Sequence, residues 1–346
     1  MTDERILAID IGGGTQDILL YDPRDALENA IKLVLPSPTR IAALRIRRAT
    51  AVGRPVFLSG RVMGGGAVGS AVRGHLKAGL AVYSLEDPAL TLHDNLDKVR
   101  GMGVRIVDRS PDGQAVEIVL GDLDLTALRQ ALALFEVDMP SQAALAIQDH
   151  GFSPGFSNRL TRFRQWQSFL DAGGDISGLL YAEPPASLTR WVAAADASPG
   201  AWLMDTGGAA LRGAMLDDVA SEHLEKGLVI VNAGNEHTVA FLIKGRRVYG
   251  VFEHHTGLLT PETLADQVDR FTRCALSHEE VFAAMGHGVA YQPGAADLAP
   301  WGPMVITGPR REIARGLGTM AAPFGEMMLS GCFGLIEAVR ERLTLD

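Results

Sequence analysis

Two cysteines in 346 residues, Cys274 and Cys332, are too few and too far apart for a zinc ribbon, a redox pair or a disulfide framework. Positive charge is also short. Lysine and arginine (32) are outnumbered by aspartate and glutamate (41), and a net charge of −9 lacks the basic footprint of a nucleic-acid binder. No apolar run reaches the ~18 residues of a membrane span. A strand pattern begins by Arg5, so the sequence predicts neither a leader nor an anchor, and the expected location is the cytoplasm. Aromatic residues are sparse at 6%, but apolar residues overall reach 47%, which excludes a disordered chain. The length leaves room for two domains, each with its own core.

Glycine is plentiful, and its placement carries the first functional signal. Arg5 to Asp22 reads RILAIDIGGGTQDILLYD: a buried strand, a tight turn, and a second strand folding back. Gly12, Gly13 and Gly14 allow positive φ and leave no Cβ to hold an anion off the backbone. Successive N–H groups in such a turn form a nest that suits phosphate. Thr15 adds a hydroxyl, and Asp10 and Asp17 are expected to hold Mg²⁺ through water. A P-loop would need a lysine after the glycines, and a Rossmann turn would open a helix rather than a strand.

A second half-motif repeats this pattern. Gly227 to Glu253 predicts three strands joined by an NAGNEH turn and a KGRR hairpin; without gaps, Asn232 falls on Asp10 and Gly234 on Gly12. Aspartate is replaced by a neutral amide there, which makes a poor Mg²⁺ ligand and no base. Asp205, in a D-T-G-G run after a short strand, is the candidate for the missing carboxylate. Gly64, Gly65 and Gly66 precede a helix and read equally well as an anion loop or a tight packing turn. His237, Glu253, His254 and His255 are candidate transition-metal ligands, although adjacent histidines on a strand point to opposite faces. Phe156 to Leu170 predicts a helix in which Arg159, Arg162 and Arg164 form a solvated side opposite an aromatic core face.

The D-x-G-G-G-T-x-D loop followed by a strand resembles the phosphate loop of the sugar kinase, heat-shock chaperone and actin superfamily. That resemblance implies an α/β fold of two ribonuclease H-like (actin-like ATPase) domains. Each would have a mixed five-stranded sheet flanked by helices, with a nucleotide cleft between them. The boundaries read as 1–198 and 199–346. By the same resemblance, Gly12 to Thr15, Asn232, Gly234 and Thr238 cradle phosphates, and Gly308 with Arg310 holds the nucleoside. Gln148, Asp149 and His150 end a strand facing the cleft, with Asp149 activating the acceptor and Asp10 assisting. The apolar C-terminal helix containing Gly331 and Gly334 crosses back between the domains. The motifs VNAGNEHT, FEHHTG and MMLSGCFG are similar, more narrowly, to a prokaryotic family labelled as pyruvate formate-lyase-activating proteins. A radical activator of that type needs three clustered cysteines, and two are present.

These residues lead to an ATP- and Mg²⁺-binding protein that hydrolyses ATP or transfers its γ-phosphoryl group to a small-molecule or protein acceptor. The alternative is a nucleotide-gated partner protein with little catalysis, motivated by Asn232. A third reading, an electron-transfer activator, needs a homodimer sharing a cluster through four cysteines. The apolar settings of Cys274 and Cys332 argue against it. Neither nucleic acid nor a membrane is expected as a partner.

Overall fold

The computed structural model describes residues 4–345 apart from positions 112 and 114. Strands β1 (Ile6–Ile11), β2 (Thr15–Tyr21) and β3 (Ile31–Pro36) form an antiparallel meander. The chain then leaves this sheet for about a hundred residues. Helix α1 (Pro38–Ala51), β4 (Val56–Gly60), α2 (Gly66–Lys77), β5 (Val82–Ser84), α3 (Glu86–Ala89), α4 (Leu96–Gly101), β6 (Arg105–Ile106), β7 (Val116–Leu120) and α5 (Leu125–Ala133) follow. Their strands form a separate all-parallel sheet, order β6-β5-β4-β7, with its own core around Ile46, Leu58, Val72 and Ile118.

The chain rejoins the first sheet at β8 (Gln142–Ile147), continues through α6 (Asn158–Asp171) and α7 (Thr189–Ala197), and returns again at β9 (Trp202–Met204). The first sheet is therefore β3-β2-β1-β8-β9, with β8 and β9 parallel to β1. Trp202–Met204, just past the expected boundary between 198 and 199, pairs with β8 as the edge strand of the first sheet. Residues 61–65 form no strand, and α1 starts with Pro38 in its first turn after Ser37.

Helices α8 (Thr206–Ala214) and α9 (Asp218–His223) lead into β10 (Leu228–Ala233), β11 (His237–Lys244) and β12 (Arg247–His255). After α10 (Pro261–Thr272) and α11 (His278–Ala283) come β13 (Gly288–Tyr291), β14 (Met304–Thr307), β15 (Thr319–Met320) and α12 (Ser330–Leu345). The second sheet reads β13-β12-β11-β10-β14-β15. Apart from the added edge strand β13, it repeats the first: three antiparallel strands, then two parallel to the central one. The repeat extends to register. Asp10 faces Asp17 where Asn232 faces Val239, and Gly12 N–H donates to the Thr15 carbonyl as Gly234 N–H does to that of His237, both at 2.9 Å. The two repeated sheets give the α/β architecture that the resemblance implied, although the second has six strands rather than five and a third, all-parallel sheet is inserted.

Central strands β1 and β10 are buried at every position, as expected of strands covered on both faces. Helices α8 and α12 pack between the sheets, and one cluster of buried side chains joins Ile6 and Leu19, Ile230 and Phe241, and Leu335 and Val339 of α12. The two helices approach closely because Gly213 faces the Ser330 carbonyl of α12 and Gly334 faces α8; a Cβ on Gly334 would collide with the Ala209 carbonyl. Gly334→Val is expected to cost about 1–3 kcal/mol through this overlap. It should appear as a lower urea midpoint with an unchanged slope.

Candidate functional site

The turn after β1 and the turn after β10 meet tip to tip. None of Gly12, Gly13 and Gly14 adopts positive φ, contrary to the expectation from their number. Their role is close approach. A Cβ on Gly13 would collide with the Glu236 side chain, and one on Gly14 with the Asn235 amide. Gly308 does take φ +97°, and a Cβ there would strike the Ala233 carbonyl and the Asn232 side chain.

Behind the first turn, Asp10 and Asp17 pair across β1 and β2. They are 8% and 7% exposed, and the Oδ1 atom of each is buried without a hydrogen-bond partner. Thr15 Oγ1 donates to Asp17 Oδ2 at 3.4 Å. Burial pushes the Asp17 carboxyl up to about 7, with the Thr15 bond opposing. Burial raises Asp10 well above the usual carboxylate range, and the charge of Asp17 adds to the effect. Two buried, unpartnered carboxylate oxygens are costly unless something positive meets them. A small cation with its water shell is what such a pair fits, so these residues suit Mg²⁺ held through water. A pocket of about 80 Å³ opens beside them, bordered by Gly12, Thr15, Thr206, Gly234 and Gly308.

Next to it lies a larger cavity of about 380 Å³, sharing Gly12, Gly13, Asn232 and Gly234 with the smaller one. Met63 to Gly66, Gln148 to Gly151, Arg190 and Glu236 border it. The 62–66 loop is pinned: Thr91 Oγ1 accepts from Met63 N–H, Asp122 Oδ1 accepts from Gly64 N–H, and a Cβ on Gly65 would strike the Thr91 carbonyl. These glycines therefore serve packing and also line the cavity. Asp149 borders it too, and burial raises its pKa. Its oxygens accept from backbone N–H groups of Gly151 (2.7 Å), Arg190 (2.8 Å) and Trp191 (3.4 Å), which ties the carboxylate to the start of α7.

Other expected residues lie apart. Thr238 is fully buried and bonds the Thr256 hydroxyl (3.0 Å), so it points into the core. Arg310 is exposed and borders neither pocket. Asp205 caps α8 by accepting from Gly207 N–H, and it lies close to Arg162, whose Nη1 approaches Oδ2 at 2.7 Å. His254 points away from its neighbours and bonds the Ala284 carbonyl, as strand alternation predicts.

Arg162 overturns the solvated-face expectation for α6. It is 2% exposed and lies between Asp205 and Glu253, donating from Nε to Glu253 Oε2 at 3.2 Å. Trp166 Nε1 donates to the same oxygen at 2.6 Å, and Gln148 Nε2 to Oε1 at 2.8 Å. Burial opposes a charge on Glu253, yet the Arg162 guanidinium prevails and holds its carboxyl well below the usual range. Of the three arginines, only Arg164 keeps the exposed position; Arg159 donates to the Phe282 and Gly286 carbonyls. The sequence signal was i, i+4 spacing of Arg162 and Trp166 on one face, without a hint of their carboxylate partners.

The family model described as "Putative pyruvate format-lyase activating enzyme (DUF1786)" matches residues 63–313. The chain belongs to this family. No curated protein matches it. Solved structures similar over nearly the whole chain include a "putative N-acetylmannosamine kinase" from Listeria monocytogenes, with 11% identity over 98% of this chain and 99% of that one, TM-score 0.34. Ethanolamine utilization protein EutJ from Carboxydothermus hydrogenoformans shares 9% identity over 97% and 90%, TM-score 0.30. A PilM–PilN type IV pilus biogenesis complex shares 11% over 97% and 98%, TM-score 0.35. Such low identities and scores say nothing of substrate or partner. In this DUF1786 chain, Cys332 is buried beneath the first turn, its thiol donating to the Asp17 carbonyl at 3.1 Å, and burial raises its pKa. Cys274 belongs to a different core cluster beneath the second sheet. Among the described residues, no helix is long and apolar enough to cross a membrane.

Proposed function

We propose that this protein binds ATP with Mg²⁺ between the two facing turns and hydrolyses it or passes its γ-phosphoryl group to an acceptor in the 380 Å³ cavity. The observation that carries this reading is the pair of buried, unpartnered oxygens on Asp10 and Asp17, set behind a glycine turn that opens onto that cavity. Asp10 and Asp17 would hold Mg²⁺, which supplies charge neutralisation for the phosphates when bound. The Gly12–Thr15 turn leaves backbone accessible to an anion, and Gly234 and Asn232 border it from the opposite side. Gly308 keeps the end of β14 close to Asn232, on the side where the nucleoside would lie. Asp149 is the candidate to take a proton from the acceptor, in addition to holding the start of α7. The family description does not fit the two separated cysteines, which are too few to ligate a radical-generating cluster.

A second reading rests on Glu236 and Asn235, which lie over Gly13 and Gly14. Nucleotide would have to displace them, so binding would couple to movement of the two turns and suit a gated partner protein. Calorimetry with Mg·ATP, then phosphate release on the same sample, decides between the two. Micromolar, Mg²⁺-dependent binding with release, lost in Asp149→Ala while binding persists, is the expected result. Binding without release would favour the gate, and absence of binding would remove both readings.

A further inference from the structure

We propose that His150, His237 and His287 bind one divalent transition-metal ion of the Zn²⁺ or Fe²⁺ type at the edge of the larger cavity. This inference does not depend on nucleotide binding. The three residues come from the loop after β8, the start of β11 and the loop before β13, so the tertiary fold alone brings them together. One ligand atom from each lies within 4.8 Å of the others. The His237 and His287 ring centroids are 4.6 Å apart, and His150 is 5.3 Å from His237 and 5.6 Å from His287.

Two observations separate this cluster from a packed group of histidines. His287 is fully buried, and neither of its ring nitrogens has a hydrogen-bond partner. A buried imidazole that merely packed would be expected to bond a neighbour, because an unmet polar group costs about 1–3 kcal/mol. The second observation is the orientation of His237. Its Nδ1 lies 2.8 Å from Glu253 Oε1, and that carboxylate already accepts from Arg162, Trp166 and Gln148. Glu253 is an acceptor, and Gln148 Nε2 also lies 2.7 Å from His237 Nδ1; the tautomer with its proton on Nδ1, donated to Glu253, is the one that leaves the Nε2 lone pair for a metal. A carboxylate behind a histidine in this way fixes the tautomer of a metal ligand and raises its basicity.

Three imidazoles select a borderline ion over Mg²⁺ or Ca²⁺, which prefer oxygen, and the absence of thiolate argues against Cu⁺. Zn–N bonds of about 2.0–2.1 Å put tetrahedral ligand nitrogens roughly 3.4 Å apart, so modest ring rotations would close the site. His150 and His237 line the cavity, so the remaining position would face it and accept an oxyanion or hydroxyl.

The test uses the full chain, stripped with a chelator, dialysed and kept free of nucleotide. Calorimetry with Zn²⁺ and visible absorption with Co²⁺ should each show one equivalent, with Co²⁺ bands of a nitrogen-ligated site. Millimolar Mg²⁺ should not compete. His287→Ala and His150→Ala should each lower Zn²⁺ affinity 100-fold or more, while His223→Ala, on α9, leaves it unchanged. Melting of the metal-free variants reports folding, and His150→Ala decides if His287→Ala fails to fold. Wild-type protein that binds neither ion, or undiminished binding in the folded histidine variants, would overturn the proposal.

Discussion

Arg162→Met is expected to destabilise the protein by roughly 3–5 kcal/mol at pH 7.5, the cost of leaving a buried charge without its partner. Two carboxylates depend on this guanidinium: Asp205 Oδ1 accepts from Nη2 at 2.9 Å, and Glu253 accepts from Nε at 3.2 Å. Methionine fills much of the same volume, so the loss reports charge rather than a cavity. The sign with pH distinguishes this cause from packing. In the native protein Glu253 is held well below the ordinary glutamate range, so its contribution to stability is present above about pH 4.5 and lost as pH falls. Without Arg162, burial is opposed only by the weaker Trp166, Gln148 and His237 contacts, so the pKa of Glu253 rises, and protonation then relieves the variant. Urea unfolding at pH 7.5 and 5 should show a deficit that shrinks at the lower pH. Adding Glu253→Gln should recover part of it, and a deficit equal at both pH values and untouched by the second change would disprove the electrostatic account.

Asp10→Asn is expected to do two opposite things. It should abolish Mg·ATP binding, and it should raise the melting temperature of the metal-free protein at alkaline pH. The Asp17 carboxyl titrates near 7 when folded and near 4 when unfolded, so its contribution weakens the fold as pH rises through that window. Burial, and then the charge of Asp17, raise Asp10 well above the usual carboxylate range as well. Above neutrality the wild type must either ionise both buried groups side by side or keep a proton against the pH gradient. An amide at position 10 removes that conflict while preserving shape. The stabilisation should be several degrees at pH 8–9 and small at pH 5, where the Asp17 carboxyl is protonated. Differential scanning fluorimetry across this range, with and without Mg·ATP, reads both effects. A variant that is less stable at every pH would mean that Asp10 holds the fold rather than a cation.

Much of the paired-sheet architecture was legible in the residues. Strands β1, β2, β10, β11 and β12 appear as branched runs separated by glycine or KGRR turns, and their repeat sets Asn232 on Asp10, to which the structure adds the matching pairings Asp10–Asp17 and Asn232–Val239. Gly334 of the C-terminal helix makes the contact with α8, and Gly331 faces the Asp10 carboxylate. The strands of the inserted sheet leave short or weak signals, with β6 only two residues long, and nothing local shows that they pair in parallel as a separate sheet. Composition and local pattern determined that this chain folds as an α/β protein with duplicated glycine hairpins, and that its cysteines support no cluster. Periodicity decides which face a residue occupies, because backbone geometry sets it locally. Which residue lies opposite depends on how distant strands pair, so only the tertiary structure brought Arg162 to Glu253 and His287 to His150 and His237.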